Sequence, residues 1–186
     1  KLVDLILVHN DVTAQSLVER GVPRDIIQKI IIPVPKVDFR RESNEINENL
    51  RSGDKDVIYA TVGFLHRYKG IEEAIKALQF LPSNYKLAIV GGLHSGTDNT
   101  KIYDKVADLI ASLDLQERVY ITGYVKEDER MNALIRECDV CVYPYDKFYY
   151  SNVSSAALNN ALANYMPTVA YPTASFTELN KIDQTM

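Results

Sequence analysis

Short apolar, β-branched runs separated by helically spaced apolar residues divide most of this chain into a regular rhythm. Residues 56–62, 86–90, 118–122, 140–143 and 168–171 each predict a strand. Between them, Ile71, Ala74, Ile75 and Leu78 lie on one face of a helix predicted over 71–80. Further helices are predicted over 102–113, 127–136 and 155–165, and another from Ser175 onward. Strands that alternate with helices imply crossover units and a parallel sheet covered on both faces. The expected fold class is therefore α/β, a doubly wound, Rossmann-like parallel sheet. Upstream, residues 2–8 and 29–34 predict two more strands around a helix capped by Asp11 and ending near Gly21. Pro33 and Pro35 stop the second strand. Residues 38–55 turn polar (Arg40-Arg-Glu-Ser-Asn-Glu-Ile-Asn-Glu-Asn49) and read as a linker.

Length and composition narrow the class. At 186 residues the chain suits one α/β domain, or one domain plus a fragment of another. A net charge of −4 argues against nucleic acid as a partner. No apolar run approaches membrane-spanning length, and no signal peptide is present. The chain starts at Lys1 in apolar sequence, and its last residues continue a helical pattern. It is expected to be a piece of a longer protein, whose remainder leaves membrane association open. Cys138 and Cys141 have redox or metal spacing, but no second pair completes a zinc site. Read as strand residues, they point to opposite faces, are buried, and suggest a reducing compartment.

In an open parallel sheet, ligands bind beyond the carboxyl ends of the strands, where the strand order reverses. For an order of 3-2-1-4-5, that point lies between the loop after the first strand (63–70) and the loop after the fourth (144–155). These loops also carry the most unusual chemistry. His66, Arg67 and Lys69 precede a helix, and a helix start presents unpaired amides and partial positive charge that suit phosphate. The bland alternative is a set of solvated loop cations near Glu72 and Glu73. Ser154 and Ser155 stand at another helix start, where serine caps and phosphate sites use the same amides. Asn152 and Asn160, eight apart, suit hydroxyl groups as donors and acceptors. The sequon at Asn152 is discounted for want of a secretory signal. Tyr143, Tyr145, Phe148, Tyr149 and Tyr150 either line a sugar or acceptor cleft or pack against another domain. Gly91 and Gly92 lack dinucleotide-loop spacing and read as a plain turn. No Ser/His/Asp arrangement and no Walker loop is visible. His9, His66 and His94 lie far apart in sequence, so no metal site is expected.

Six segments in order give a resemblance. They are Gly63-Phe-Leu-His-Arg-Tyr-Lys69-Gly70-Ile-Glu-Glu-Ala, Ala88-Ile-Val-Gly-Gly92, Arg118-Val-Tyr-Ile-Thr-Gly123-Tyr-Val, Cys138-Asp-Val-Cys-Val-Tyr-Pro144, Ala161-Leu-Ala-Asn-Tyr-Met-Pro167-Thr-Val-Ala170 and Glu178. Together they resemble the C-terminal domain of family 4 glycosyltransferases, which have the two-domain GT-B architecture. The resemblance implies that residues 1–37 are the last strand-helix-strand of an otherwise missing N-terminal acceptor-side domain. Residues 38–55 would then be the linker, and residues 56–186 the nucleotide-sugar-binding domain. It implies a retaining transfer of a sugar from a nucleoside diphosphate sugar to an acceptor glycan, lipid or protein. Gly63, Arg67, Lys69, Ser154 and Ser155 would hold the diphosphate, with Lys69 and Arg67 stabilising developing phosphate charge as the catalytic device. Main chain at Tyr124 and Val125 would read the base. Asn152 and Asn160 would meet donor-sugar or ribose hydroxyls. No metal or cofactor is expected beyond the donor substrate. A cytoplasmic location is expected, peripheral to a membrane if the missing part binds one.

The sequence departs from the family pattern at three places. Phe64 stands where an arginine is usual, and Arg67 is a nearby substitute. Asn152 and Asn160 replace two glutamates, so bonds to hydroxyls lose their charge assistance. Tyr165 replaces a common glycine. These departures motivate two rivals: a catalytically degenerate binding or scaffold domain, and a nucleotide-sugar epimerase of the same architecture.

Overall fold

A computed structural model describes residues 3–93, 100–148, 154–173 and 176–179. The chain begins with a small parallel pair, β1 (Ile6–Val8) and β2 (Ile27–Lys29), joined by helix α1 (Asp11–Glu19). Val8, Ala14 and Ile27 form its own small buried cluster. The α1 cap is Asn10, not the expected Asp11. The Asn10 side chain accepts the Thr13 amide at 2.7 Å, while the Asp11 carboxylate pairs with Lys29 at 2.7 Å. β1 covers only the end of its predicted run, and β2 lies upstream of the run predicted over 29–34, meeting it only at Lys29. A strand persists only where a partner completes its ladder, and Pro33 and Pro35 lack the N–H to continue one.

The polar stretch read as a linker contains helix α2 (Glu45–Leu50). Ile46 and Leu50, four residues apart, share one face of it and are buried, while acidic and amide residues face outward. Two apolar residues at one-turn spacing were enough to seat a helix that composition alone concealed.

The main sheet consists of β3 (Val57–Val62), β4 (Tyr85–Val90), β5 (Val119–Ile121), β6 (Val140–Tyr143) and β7 (Thr168–Ala170). All pairings are parallel, in the order β5-β4-β3-β6-β7. In this sheet's own numbering that is 3-2-1-4-5, the order the site argument required. Alternate strand residues feed two cores. Ile58, Ala60 and Val62 pack with α2, with α5 (Asp128–Arg136) and with α6 (Ala156–Ala163). Tyr59, Leu87 and Ile89 pack with α3 (Ile71–Ala77) and α4 (Thr100–Ser112). The sheet is thus covered on both faces, as its apolar, double-sided strands require.

Both cysteines are free and buried, but in one core rather than on opposite faces. Cys141 lies on β6, whereas Cys138 belongs to the turn that ends α5, and its thiol donates to the Leu134 carbonyl. The turn resets the alternation that a continuous strand would have imposed. Burial raises both thiols, Cys141 to about 12, so neither is a ready thiolate.

Candidate functional site

The loop after β3 leaves the sheet gradually. The Gly63 amide bonds the Val90 carbonyl and the Leu65 amide bonds the Gly92 carbonyl, both at 2.9 Å, so buried Leu65 anchors it. A 3-10 turn over Arg67–Lys69 follows, and Gly70 (φ 67°) reverses the chain into α3. A methyl group on Gly70 would stand 1.9 Å from the Pro144 carbonyl oxygen, so only glycine lets this loop touch the loop after β6. The turn sends Lys69 back beneath Gly63, whose ideal Cβ position lies 3.8 Å from Lys69 Nζ. There the ammonium donates to Tyr145 Oη at 2.7 Å and lies 4.3 Å from the centre of the Tyr145 ring. Burial lowers the Lys69 pKa to about 8. His66 is exposed, its ring 4.0 Å from that of Tyr68, and burial and then the Lys69 charge lower its pKa.

The loop after β6 meets the first one at two levels. The Asp146 amide bonds the Tyr68 carbonyl at 2.9 Å, and the buried Tyr145 side chain reaches Lys69. The same hydroxyl lies 3.2 Å from Ser155 Oγ, and Ser155 caps α6 by accepting the Leu158 amide at 3.2 Å. Lys69, Tyr145 and Ser155 therefore form one hydrogen-bonded chain from the first loop to the start of α6. Ser154 Oγ accepts from Asn10 Nδ2 at 3.1 Å, which joins the same helix start to α1.

Other expected site residues lie elsewhere. Arg67 is exposed and borders an open cleft of about 1110 Å³, together with Lys101, Tyr145, Lys147, Phe148 and Tyr171. Neither Lys69 nor the serines line that cleft. Ser154 and Ser155 open instead onto a crevice of about 60 Å³ shared with His9, Lys29, Ile32 and Asn159. Of the linked residues, Tyr145 borders the open cleft, whereas Ser155 opens onto the crevice. Asn160 lies in the second turn of α6, roughly 7.5 Å along the axis from Ser155. Asn152 falls outside the described residues, as do His94, Tyr149 and Tyr150. Tyr124 is 46% exposed and stacks on Phe64, 44% exposed, with centroids 6.0 Å apart and planes 11° apart. The Val125 side chain belongs to the core. Of the aromatic residues expected to line a cleft or face another domain, Tyr143 is instead core, its hydroxyl donating to the Ala157 carbonyl at 2.8 Å. Phe148 stands 81% exposed. Glu178 accepts the Asp11 amide at 2.6 Å and lies 3.7 Å from Lys29, at the seam with β1 and β2.

Two connections here have no counterpart in the sequence pattern. Asn159 donates to the Ile32 carbonyl at 2.9 Å, and Tyr145 accepts from Lys69, 76 positions away. Neither has a spacing signal, because each partner is brought in by the fold. Among the described residues, no group of three or more His, Cys, Asp or Glu side chains is placed to hold a metal ion. No helix among them is long and apolar enough to cross a membrane.

Comparison with known proteins adds the following. A family model described as glycosyl transferases group 1 matches residues 42–185. No curated protein matches the chain. Among solved structures, HepE from Anabaena in complex with UDP and glucose is similar, with a TM-score of 0.72 and 16% identity. The alignment covers 95% of this chain and 46% of that one. WaaG, a glycosyltransferase involved in lipopolysaccharide biosynthesis, gives 0.70 and 15%, covering 95% and 47%. Sucrose-phosphate synthase from Thermosynechococcus elongatus gives 0.69 and 21%, covering 94% and 42%. At these identities the likeness shows the fold, a parallel Rossmann-like sheet of the GT-B type. The chain spans slightly less than half the length of each of these structures.

Proposed function

This chain belongs to the glycosyl transferases group 1 family, and from that premise we propose that it supplies the donor-binding half of a retaining glycosyltransferase of family 4 type. Residues 1–37 are the end of an acceptor-side unit, 38–55 the connection, and 56–186 the unit that grips the nucleoside diphosphate sugar. The observation that carries this reading is the link from Lys69 through Tyr145 to Ser155. It gathers a half-buried cation and the start of α6 at the point where the strand order reverses. HepE, similar in fold, is described as bound to UDP and to UDP-glucose, which supports a nucleotide sugar as the ligand.

In this reading Lys69 neutralises the diphosphate as negative charge grows on the leaving group, and the amides at Ser154 and Ser155 bind the distal phosphate. Gly63 keeps the space beside Lys69 Nζ clear, and Arg67 adds charge from the rim. The main chain at Tyr124 and Val125 reads the base, and Asn152 and Asn160 bond donor-sugar or ribose hydroxyls. Lys69, Arg67 and the helix amides supply the positive charge, so the step needs no metal. The acceptor hydroxyl and its base belong to the acceptor-side unit. The product is a glycan or glycoconjugate made in the cytoplasm or at a membrane surface facing it.

Calorimetry on the full-length protein with uridine, guanosine and adenosine diphosphates tests the reading. One of them is expected to bind, and Lys69→Ala to weaken it about 10- to 100-fold, the cost of a charged hydrogen bond. NMR of the product's anomeric configuration then checks retention. Absence of binding to all three would overturn the proposal and leave a scaffold.

A further inference from the structure

The link between the two loops is a tyrosine hydroxyl, and its surroundings show how firmly it is placed. Tyr145 is 1% exposed and held edge-on by aromatic residues from three segments. Its ring meets Tyr143 at 5.5 Å and 84°, Phe176 at 5.7 Å and 66°, and Tyr68 at 6.5 Å and 87°. A ring fixed on three sides fixes the position of its hydroxyl.

A lysine ammonium has protons only to give, so Tyr145 Oη accepts from Lys69. The same hydroxyl shares a hydrogen bond with Ser155 Oγ, which also accepts the Leu158 amide.

We propose that Tyr145 is a positioning residue of the donor site, whose hydroxyl joins the Lys69 ammonium and the Ser155 hydroxyl into one clamp for the donor diphosphate. The proposal rests on the diphosphate reading above and adds a residue to it. The ring face and the hydroxyl of Tyr145 both favour the ammonium.

The test measures binding of uridine diphosphate, with uridine as a phosphate-free control, to the full-length protein between pH 6.5 and 9. Tyr145→Phe is expected to weaken the diphosphate about tenfold and leave uridine unchanged. It also moves the loss of binding at alkaline pH to lower pH, because the ammonium loses an acceptor. Ser155→Gly, which costs little as a helix cap, is expected to give a similar loss, and Ser155→Thr to retain wild-type affinity. The double variant Tyr145→Phe with Ser155→Gly should lose less than the product of the two single losses, because both break one chain. Tyr145→Phe binding as tightly as wild type with an unmoved pH profile, or strictly multiplicative losses, would overturn the clamp. The donor reading would survive that result if Lys69→Ala still weakened binding, and would fall if Lys69→Ala had no effect. If Tyr145→Phe does not fold, as judged by thermal unfolding, Ser155→Gly and Ser155→Thr decide. Unchanged affinity in Ser155→Gly then sinks the proposal.

Discussion

Gly92 shows what a single residue must satisfy where the loops beyond the strands crowd together. A methyl group there would stand 2.4 Å from the Tyr124 amide nitrogen and 2.7 Å from the Gly123 carbonyl carbon, both main-chain atoms. Backbone cannot swing aside as a side-chain tip can. Gly92→Ala is therefore expected to cost about 1–3 kcal/mol, typical of overpacking, seen as a lower urea midpoint in circular dichroism. A wild-type midpoint would show that the loops after β4 and β5 separate easily. The sequence pattern at Gly91-Gly92 does not show this close approach, since Tyr124 lies more than thirty residues away.

Helix α2 carries the argument at the scale of elements. Ile46 is fully buried and packs in the same cluster as Leu50, Ile58 and Leu134. Three side chains add polar ties. The Tyr120 hydroxyl and Arg130 bond the Glu45 carboxylate at 3.0 and 2.8 Å, and Glu137 accepts the Asn47 amide at 2.9 Å. Ile46→Ala is expected to destabilise the protein by about 2–5 kcal/mol, the range for a large-to-small change in a core. A loss below about 0.5 kcal/mol by urea denaturation, as expected of a linker residue, would show that α2 is not part of the core. The strands and the longer helices were legible because each repeats its signal over several turns or pleats. Helix α2 spans six residues, and two apolar positions are too few for a period to stand out.

For the molecule as a whole, the proposed site trades stability for charge. Lys69 titrates near 8 when folded, against an ordinary value of 10.5. Below pH 8 it is charged in both states, and its burial penalty is fully present. Between about pH 8 and 10.5 the unfolded chain keeps the proton that the folded chain has released. The unfolded state then binds more protons, so this group's contribution to stability rises with pH through that window. Lys69→Met is expected to raise stability at pH 7 by on the order of 1–3 kcal/mol, less what Tyr145 loses when its donor goes. It should also flatten the rise between pH 8 and 10 and weaken diphosphate binding as Lys69→Ala does. Urea denaturation at pH 7 and pH 9.5 checks this, and a variant less stable than wild type at pH 7 would contradict it. The same view of the whole molecule shows how residues 3–37 are attached. Asn10, Lys29 and the Ile32 carbonyl meet Ser154, Glu178 and Asn159 through polar bonds rather than through a shared core.

Periodicity and punctuation in the sequence determined the alternation of strands and helices and the double-sided burial of the sheet. These features depend on near neighbours along the chain, and a linear pattern records them. The tertiary structure alone decided that the strand order reverses between β3 and β6, that α2 is core and that Tyr145 joins Lys69 to Ser155. It also decided that Arg67 and the serines face different cavities. Each of these depends on which distant segments the parallel crossovers bring into contact, and hydrogen bonds over such separations leave no spacing for a sequence to show.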